Sequence, residues 1–141
     1  MNDEPCLCTT LRQAAQMATE AYDRALEPSG LKITMYRVLR RLSEAGKPTI
    51  SELARIVELD RSSLGRNLRV LQRARLVKFA EGDDERTIIV TLTPQGREAL
   101  EIARPLWRRV QAQMRAALGE EADAVYSIRA KVGADARQLQ S

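Results

Sequence analysis

The residues with the clearest chemical potential occupy one run, Asp60-Arg61-Ser62-Ser63-Leu64-Gly65-Arg66-Asn67-Leu68-Arg69-Val70-Leu71-Gln72-Arg73. At about 100° per residue, Leu64, Leu68 and Leu71 share one stripe, which a core must cover. Ser62, Arg66, Arg69 and Arg73 share the opposite stripe, and no acid follows Asp60 to offset them. Asp60 suits an N-cap, accepting from the free amides of the first turn. The pattern predicts a capped helix with a leucine back and an arginine front, with small Ser62 and Ser63 at its leading end. Long cations for phosphates and guanines, with short polar groups where a helix tip approaches base edges, are what a DNA recognition helix needs. The plain alternative for this run alone is a solvated basic helix.

The surroundings decide between these readings. Two helices precede the run. Residues 9–26 carry Leu11, Ala15, Ala18, Tyr22 and Ala25 at alternating spacings of four and three, an apolar seam. Pro28-Ser29-Gly30 ends it. A second helix is expected over 34–45, with Met35, Val38, Leu39 and Leu42 inward and Gly46 at its C-terminal cap. Thr49 and Glu52 then form a capping box for a short helix that buries Ile50, Leu53, Ala54 and Val57. Two helices joined by about three residues, the second with an arginine face, have the spacing of a helix-turn-helix.

Downstream, Leu76–Ala80 and Thr87–Leu92 are β-prone, with a polar turn between them. This hairpin directly after a recognition helix reads as a wing. Arg86 near its tip suits a minor groove, and Asp84 could hold it by an ion pair. Thr93 and Pro94 open a long helix as cap and first residue, with Leu100, Ala103, Trp107, Val110, Met114 and Ala117 along its inner seam and Pro105 as the expected bend. Past Gly119 a last helix continues the apolar spacing through Leu118, Ala122, Val125, Val132, Ala136 and Leu139.

The fold class expected is therefore mainly α with a small β-hairpin wing, in one chain of 141 residues. Residues 32–92 form the winged helix-turn-helix. Residues 9–26 and 93–140 form helices longer than such a core requires, and their seams need partners. A single wing module reads only a short site, so affinity and specificity usually come from a symmetric dimer on an inverted repeat. A homodimer held by Leu11, Trp107, Val110, Val125 and their neighbours satisfies both demands.

Composition excludes several other classes. Aromatic residues make up 4% of the chain, too few for an RNA binder that stacks single-stranded bases. With no histidine, Ser-His-Asp triads, zincin motifs and most mixed cysteine–histidine zinc sites are ruled out. No phosphate-cradling glycine loop appears, and no paired carboxylates lie outside solvent-exposed turns, so an enzyme is not expected and no cofactor is required. No apolar run is long enough to span a bilayer, and the acidic N-terminus lacks the regions of a signal peptide, so a cytoplasmic protein without a membrane partner is expected. The net charge of +4 is compatible with a polyanionic partner.

Several motifs together resemble the MarR (multiple antibiotic resistance regulator) family. They are Ser51-Glu52-Leu53-Ala54, the run Asp60 to Leu68, and Asp84-Glu85-Arg86 followed by Leu92-Thr93-Pro94-Gln95-Gly96. The resemblance covers almost the whole chain. It implies a triangular winged-helix dimer that binds pseudo-palindromic double-stranded operators, usually as a repressor. It places Ser62, Ser63, Arg66, Asn67, Arg69 and Arg73 on the major-groove helix, with Asp84 and Arg86 in the minor-groove finger.

The switch is less determined. Cys8 lies where the organic-hydroperoxide-sensing branch of that family places its reactive thiol, and Tyr22 matches a tyrosine that contacts it. Arg12 and Ile33, however, stand where that branch has two further tyrosines. Three triggers stay open. An oxidant could act through Cys8, with Cys6 as resolving or intersubunit thiol. A small aromatic effector could bind near Arg12, Tyr22 and Tyr36. A metal site of four thiolates would need the N-termini of two protomers.

Overall fold

Helix starts and stops fall where local chemistry places them. In the computed structural model, which describes residues 3–84 and 86–136, α1 spans Leu7–Leu26. It begins two residues before the expected start because Cys6 serves as its N-cap, the thiol accepting from the Thr9 amide at 3.5 Å. A short 3-10 turn at Glu27–Ser29 and a left-handed Gly30 lead to α2, Ile33–Ala45. The Asp23 carboxylate accepts from the Ile33 amide at 2.8 Å, tying α1 to the start of α2. Helix α3 spans Ile50–Val57, capped by the Thr49 hydroxyl, and α4 spans Arg61–Arg73, capped by Asp60.

Strands β1 (Val77–Glu81) and β2 (Ile88–Leu92) pair antiparallel, with Val77 opposite Leu92 and Phe79 opposite Val90. A backbone bond from the Val90 amide to the Pro48 carbonyl, with a bridge between Thr49 and Ile89, joins the α2–α3 link to this sheet. Leu76, expected as the first strand residue, instead closes α4 by donating to the Leu71 carbonyl. Helix α5 runs Pro94–Leu118, continuing on both sides of Pro105, and α6 runs Ala122–Ala136. The expected helical continuation over 137–140, with Leu139, and Glu85 of the wing lie outside the described residues. Among the described residues no helix is long and apolar enough to cross a membrane.

The chain divides into two compact units, Met1–Trp107 and Arg108–Ser141. The first holds the core. Leu26, Leu31, Val38, Leu39 and Leu42 meet Leu53 and Val57 of α3, Leu64, Leu68 and Leu71 of α4, Val77 and Val90 of the hairpin, and Leu100 and Ala103 of α5. Tyr36 is also buried, its ring stacked on Trp107 at 6.0 Å between centroids, and the Arg40 guanidinium lies 5.1 Å from the centre of the Trp107 ring. In the second unit, Arg115 donates to Asp123 at 3.2 Å across the turn between α5 and α6. Most of α6 is exposed, including Val125, Tyr126, Ile128 and Val132.

The Leu92-Thr93-Pro94-Gln95-Gly96 motif has a direct mechanical explanation. Arg75 takes a left-handed φ of 62° after α4, which aims its carbonyl at Thr93. The Thr93 hydroxyl donates to that carbonyl at 2.5 Å and accepts from the Gly96 amide at 3.0 Å, while the Thr93 amide donates to the Leu76 carbonyl at 3.1 Å. A Cβ on Gly96 would lie 2.0 Å from the Leu76 carbonyl oxygen, so only glycine lets α5 approach the root of the wing this closely. Gly65 of α4 has open space where its Cβ would be. We therefore predict opposite effects on the denaturant midpoint, compared at equal protein concentration. Gly96→Ala should destabilise by about 1–3 kcal/mol, as overpacking against backbone does, whereas Gly65→Ala should stabilise by about 0.5–1 kcal/mol through helix propensity.

Candidate nucleic-acid interface

Burial decides which side chains of α4 can meet a partner. Leu64, Leu68 and Leu71 are fully buried, or within 1% of it, and this rotates Ser62, Arg66, Arg69 and Arg73 into solvent. Asn67 and Ser63 are half-buried, so the exposed front consists of one serine and three guanidinium groups. None of the three arginines has an ion-pair partner among the described residues.

At the leading end of α4 the polar groups are joined. The Ser63 amide donates to Asp60 Oδ1 at 2.7 Å, the Ser63 hydroxyl donates to Asp60 Oδ2 at 2.8 Å, and Arg66 Nη2 donates to the Ser63 hydroxyl oxygen at 3.2 Å. The Ser63 amide, then its hydroxyl, with the nearby Arg66 charge, hold the Asp60 carboxyl below its ordinary value. The sequence pattern identified the cap, but not the serine that joins the cap to an arginine.

The wing holds Arg86 differently from expectation. Among the described residues no ion pair joins Asp84 to Arg86. Instead the Asp84 carboxylate accepts from the Arg86 backbone amide at 3.3 Å, and the Asp84 carbonyl accepts from the Thr87 amide and hydroxyl at 2.9 and 2.8 Å. The Gly82 amide closes the turn onto the Thr87 carbonyl at 2.9 Å. Asp84 thus shapes the turn, and the exposed guanidinium of Arg86 has no ion pair among the described residues.

The turn between α3 and α4 also depends on a residue the sequence pattern did not identify. Glu58 takes a left-handed conformation, φ 56°, and the Glu58 and Leu59 amides fold back onto carbonyls of α3. Arg37 of α2 reaches across and donates to the Val57 carbonyl, one of the acceptors a helix end leaves open. Twenty residues separate this pair, so no local spacing could reveal it.

The effector-site residues fall into two groups. Cys6 and Cys8 are both exposed free thiols. Cys6 rather than Cys8 holds the α1 cap, and its thiol pKa is lowered, first by the Thr9 side chain, then by the Thr9 and Cys8 amides. Arg12 is exposed, Tyr22 half-buried, and Tyr36 is committed to the Trp107 stack. An open groove of about 680 Å³ lies elsewhere, between the end of α2 and the outer sheet face, with Lys47, Lys78 and Arg97 among its lining.

Comparison with known proteins agrees with this geometry. Residues 29–87 match the model of the MarR family. The M. tuberculosis transcriptional regulator MosR, solved in complex with DNA, is 41% identical, with 97% of this chain and 100% of that chain covered and a TM-score of 0.85. A probable transcriptional regulator from Pseudomonas aeruginosa is 26% identical over 89% of this chain and 96% of its own, with a TM-score of 0.79. The uncharacterized HTH-type transcriptional regulator YxaD of Bacillus subtilis is 31% identical over 96 residues, 67% of this chain. The chain spans 64% of the length of the curated Bacillus relatives it matches.

The Asp60 network has a measurable pH signature. A carboxyl whose folded pKa is depressed contributes stability that is present above its unfolded value and lost as pH falls through the folded one. Asp60→Asn keeps a capping oxygen but cannot titrate. We predict that the wild type is the more stable protein at pH 7 and that its advantage over Asp60→Asn shrinks between about pH 5 and pH 3, its unfolding midpoint falling further than the variant's. Parallel acid limbs for the two proteins would contradict the assignment.

Proposed function

The chain belongs to the MarR family, and from that premise we propose that it is a sequence-specific double-stranded-DNA-binding transcriptional regulator. In this reading it is a repressor that leaves a pseudo-palindromic operator on an effector signal. The observation that carries the reading is the exposed guanidinium front of α4, without an ion pair among the described residues, followed in the chain by a hairpin that presents Arg86. Helix α4 enters a major groove with Ser62, Arg66, Asn67, Arg69 and Arg73, and the wing lays Arg86 along the adjacent minor groove. The DNA-bound state of MosR, a relative of matching length, supports the same mode of use.

Two copies act together in this proposal. Leu7, Leu11 and Met17 of α1 are exposed, as are Val125, Tyr126, Ile128 and Val132 of α6. Apolar seams of this extent on a water-soluble surface call for a partner, and a second copy of the same chain also supplies the second half-site. Of the residues expected at this interface, Leu11 and Val125 are open for it. Val110 is already buried within the chain, and Trp107 packs on Tyr36.

The test of the DNA reading is ionic. Removing a cation that neutralises phosphate reduces the slope of log K against log salt by about one. Arg86→Ala should weaken operator binding and flatten that slope. Arg66→Ala should weaken binding in a way that depends on the operator sequence. Unchanged affinity for both variants contradicts the proposed surface.

Of the three triggers, the cap geometry favours thiol oxidation, at Cys6. A helix N-terminus stabilises thiolate. Attack of that thiolate on a peroxide oxygen gives the sulfenic acid with release of water or alcohol, and condensation with a second thiol then forms a disulfide and water. We predict that peroxide releases wild-type protein from operator DNA and fails to release Cys6→Ser. Equal release of both proteins removes Cys6 from the mechanism and moves the oxidised site to Cys8, whereas release of neither leaves the ligand route.

A further inference from the structure

Ser63 and Arg66 both belong to the expected DNA-reading face, yet the structure gives them different situations. Arg66 is exposed, whereas Ser63 is half-buried and its hydroxyl is already engaged on both sides. A serine hydroxyl carries a single proton. Here it points at Asp60 Oδ2, 2.8 Å away, which leaves the oxygen lone pairs facing the other way. One of them receives Arg66 Nη2 at 3.2 Å. Because the carboxylate fixes where the hydroxyl proton goes, it also fixes the hydroxyl as an acceptor for the arginine. The chain Asp60–Ser63–Arg66 therefore runs from the helix cap to the exposed guanidinium without a free rotor in it.

We propose that Ser63 is a positioning residue rather than a base reader, and that, anchored by Asp60, it sets the Arg66 guanidinium on α4 in the orientation that discriminates one base pair from another. This rests on the DNA-binding reading above and assigns the division of labour within it. A free arginine side chain loses considerable rotamer freedom when it docks bidentately on a guanine. Holding one Nη2 proton in advance reduces that loss and leaves the remainder of the fork available to a base edge. Ser62, which is exposed and outside the chain of hydrogen bonds, stays free to meet DNA directly.

A double-mutant cycle on sequence discrimination tests the proposal. Affinities for a selected operator and for a scrambled duplex of equal length are measured for wild type, Ser63→Ala, Arg66→Ala and the double variant. Ser63→Ala should lower the operator-to-scrambled ratio about fivefold, the net worth of one ordinary hydrogen bond. Its salt slope should stay unchanged because no charge is lost. In the Arg66→Ala background the same substitution should have no effect, and Ser63→Thr, which retains the hydroxyl, should keep the wild-type ratio. Thermal unfolding confirms that each variant compared is folded, and Asp60→Asn provides a second probe, expected to reduce discrimination only where Arg66 is present. An equal loss from Ser63→Ala in both backgrounds would show an independent base contact and overturn the proposal. No loss in the wild-type background would overturn it as well. A wild-type protein that does not distinguish the two duplexes instead overturns the DNA reading on which the proposal rests.

Discussion

Burial of Leu64, Leu68 and Leu71 is the constraint on which the working surface depends. Each is removed from water almost completely, and a buried leucine is worth about 1.5–3 kcal/mol relative to an exposed one. Any rotation of α4 about its axis would expose part of that stripe and carry arginines toward Leu39, Leu53 and Val57, where unpaired charge is costly. The core thereby fixes the angular position of Arg66, Arg69 and Arg73 to within a small part of a turn. The same core continues through Val77 and Val90, so the hairpin and α4 are set by one body of packed side chains.

Polar contacts then settle what packing leaves open. Arg37 completes the end of α3, and left-handed Glu58 turns the chain into α4. Thr93 clasps the end of α4 to the start of α5 through Arg75 and Leu76, at a point where Gly96 permits close contact. Asp84 folds the wing tip around backbone groups and leaves the Arg86 guanidinium to solvent. In each case the hydrogen-bonded groups are near the helix-turn-helix or the wing, and Arg66, Arg69, Arg73 and Arg86 stay exposed without an ion pair among the described residues.

Much of this was legible in the sequence because it is periodic or capped. The leucine stripe of α4, the Asp60 cap, the Thr49 cap and the Thr93-Pro94 start all rest on interactions between residues three or four apart, which a linear pattern displays. The two β-prone runs of the hairpin were legible as well, while its register, Val77 opposite Leu92 and Phe79 opposite Val90, comes from the structure. The rest depends on distance in the chain or on a choice among equals. Arg37 reaches a carbonyl twenty residues away. Cys8 was the cysteine expected at the start of α1, and the structure shows that Cys6, two positions earlier, takes the cap. Asp84 and Arg86 have the charges for an ion pair, but the tight turn brings the carboxylate to an amide instead. Tyr36 and Trp107, read separately as a pocket residue and an interface residue, satisfy each other.

One packed body presents α4 and the wing, and in the proposed mode two such bodies face a single duplex. Selection of bound duplexes from a random-sequence pool, with the full chain as bait, tests this most directly. The expected result is enrichment of an inverted repeat whose half-sites lie about one helical turn, roughly 10 base pairs, apart from centre to centre. Recovery of an isolated half-site, or of no enriched sequence at all, would contradict it.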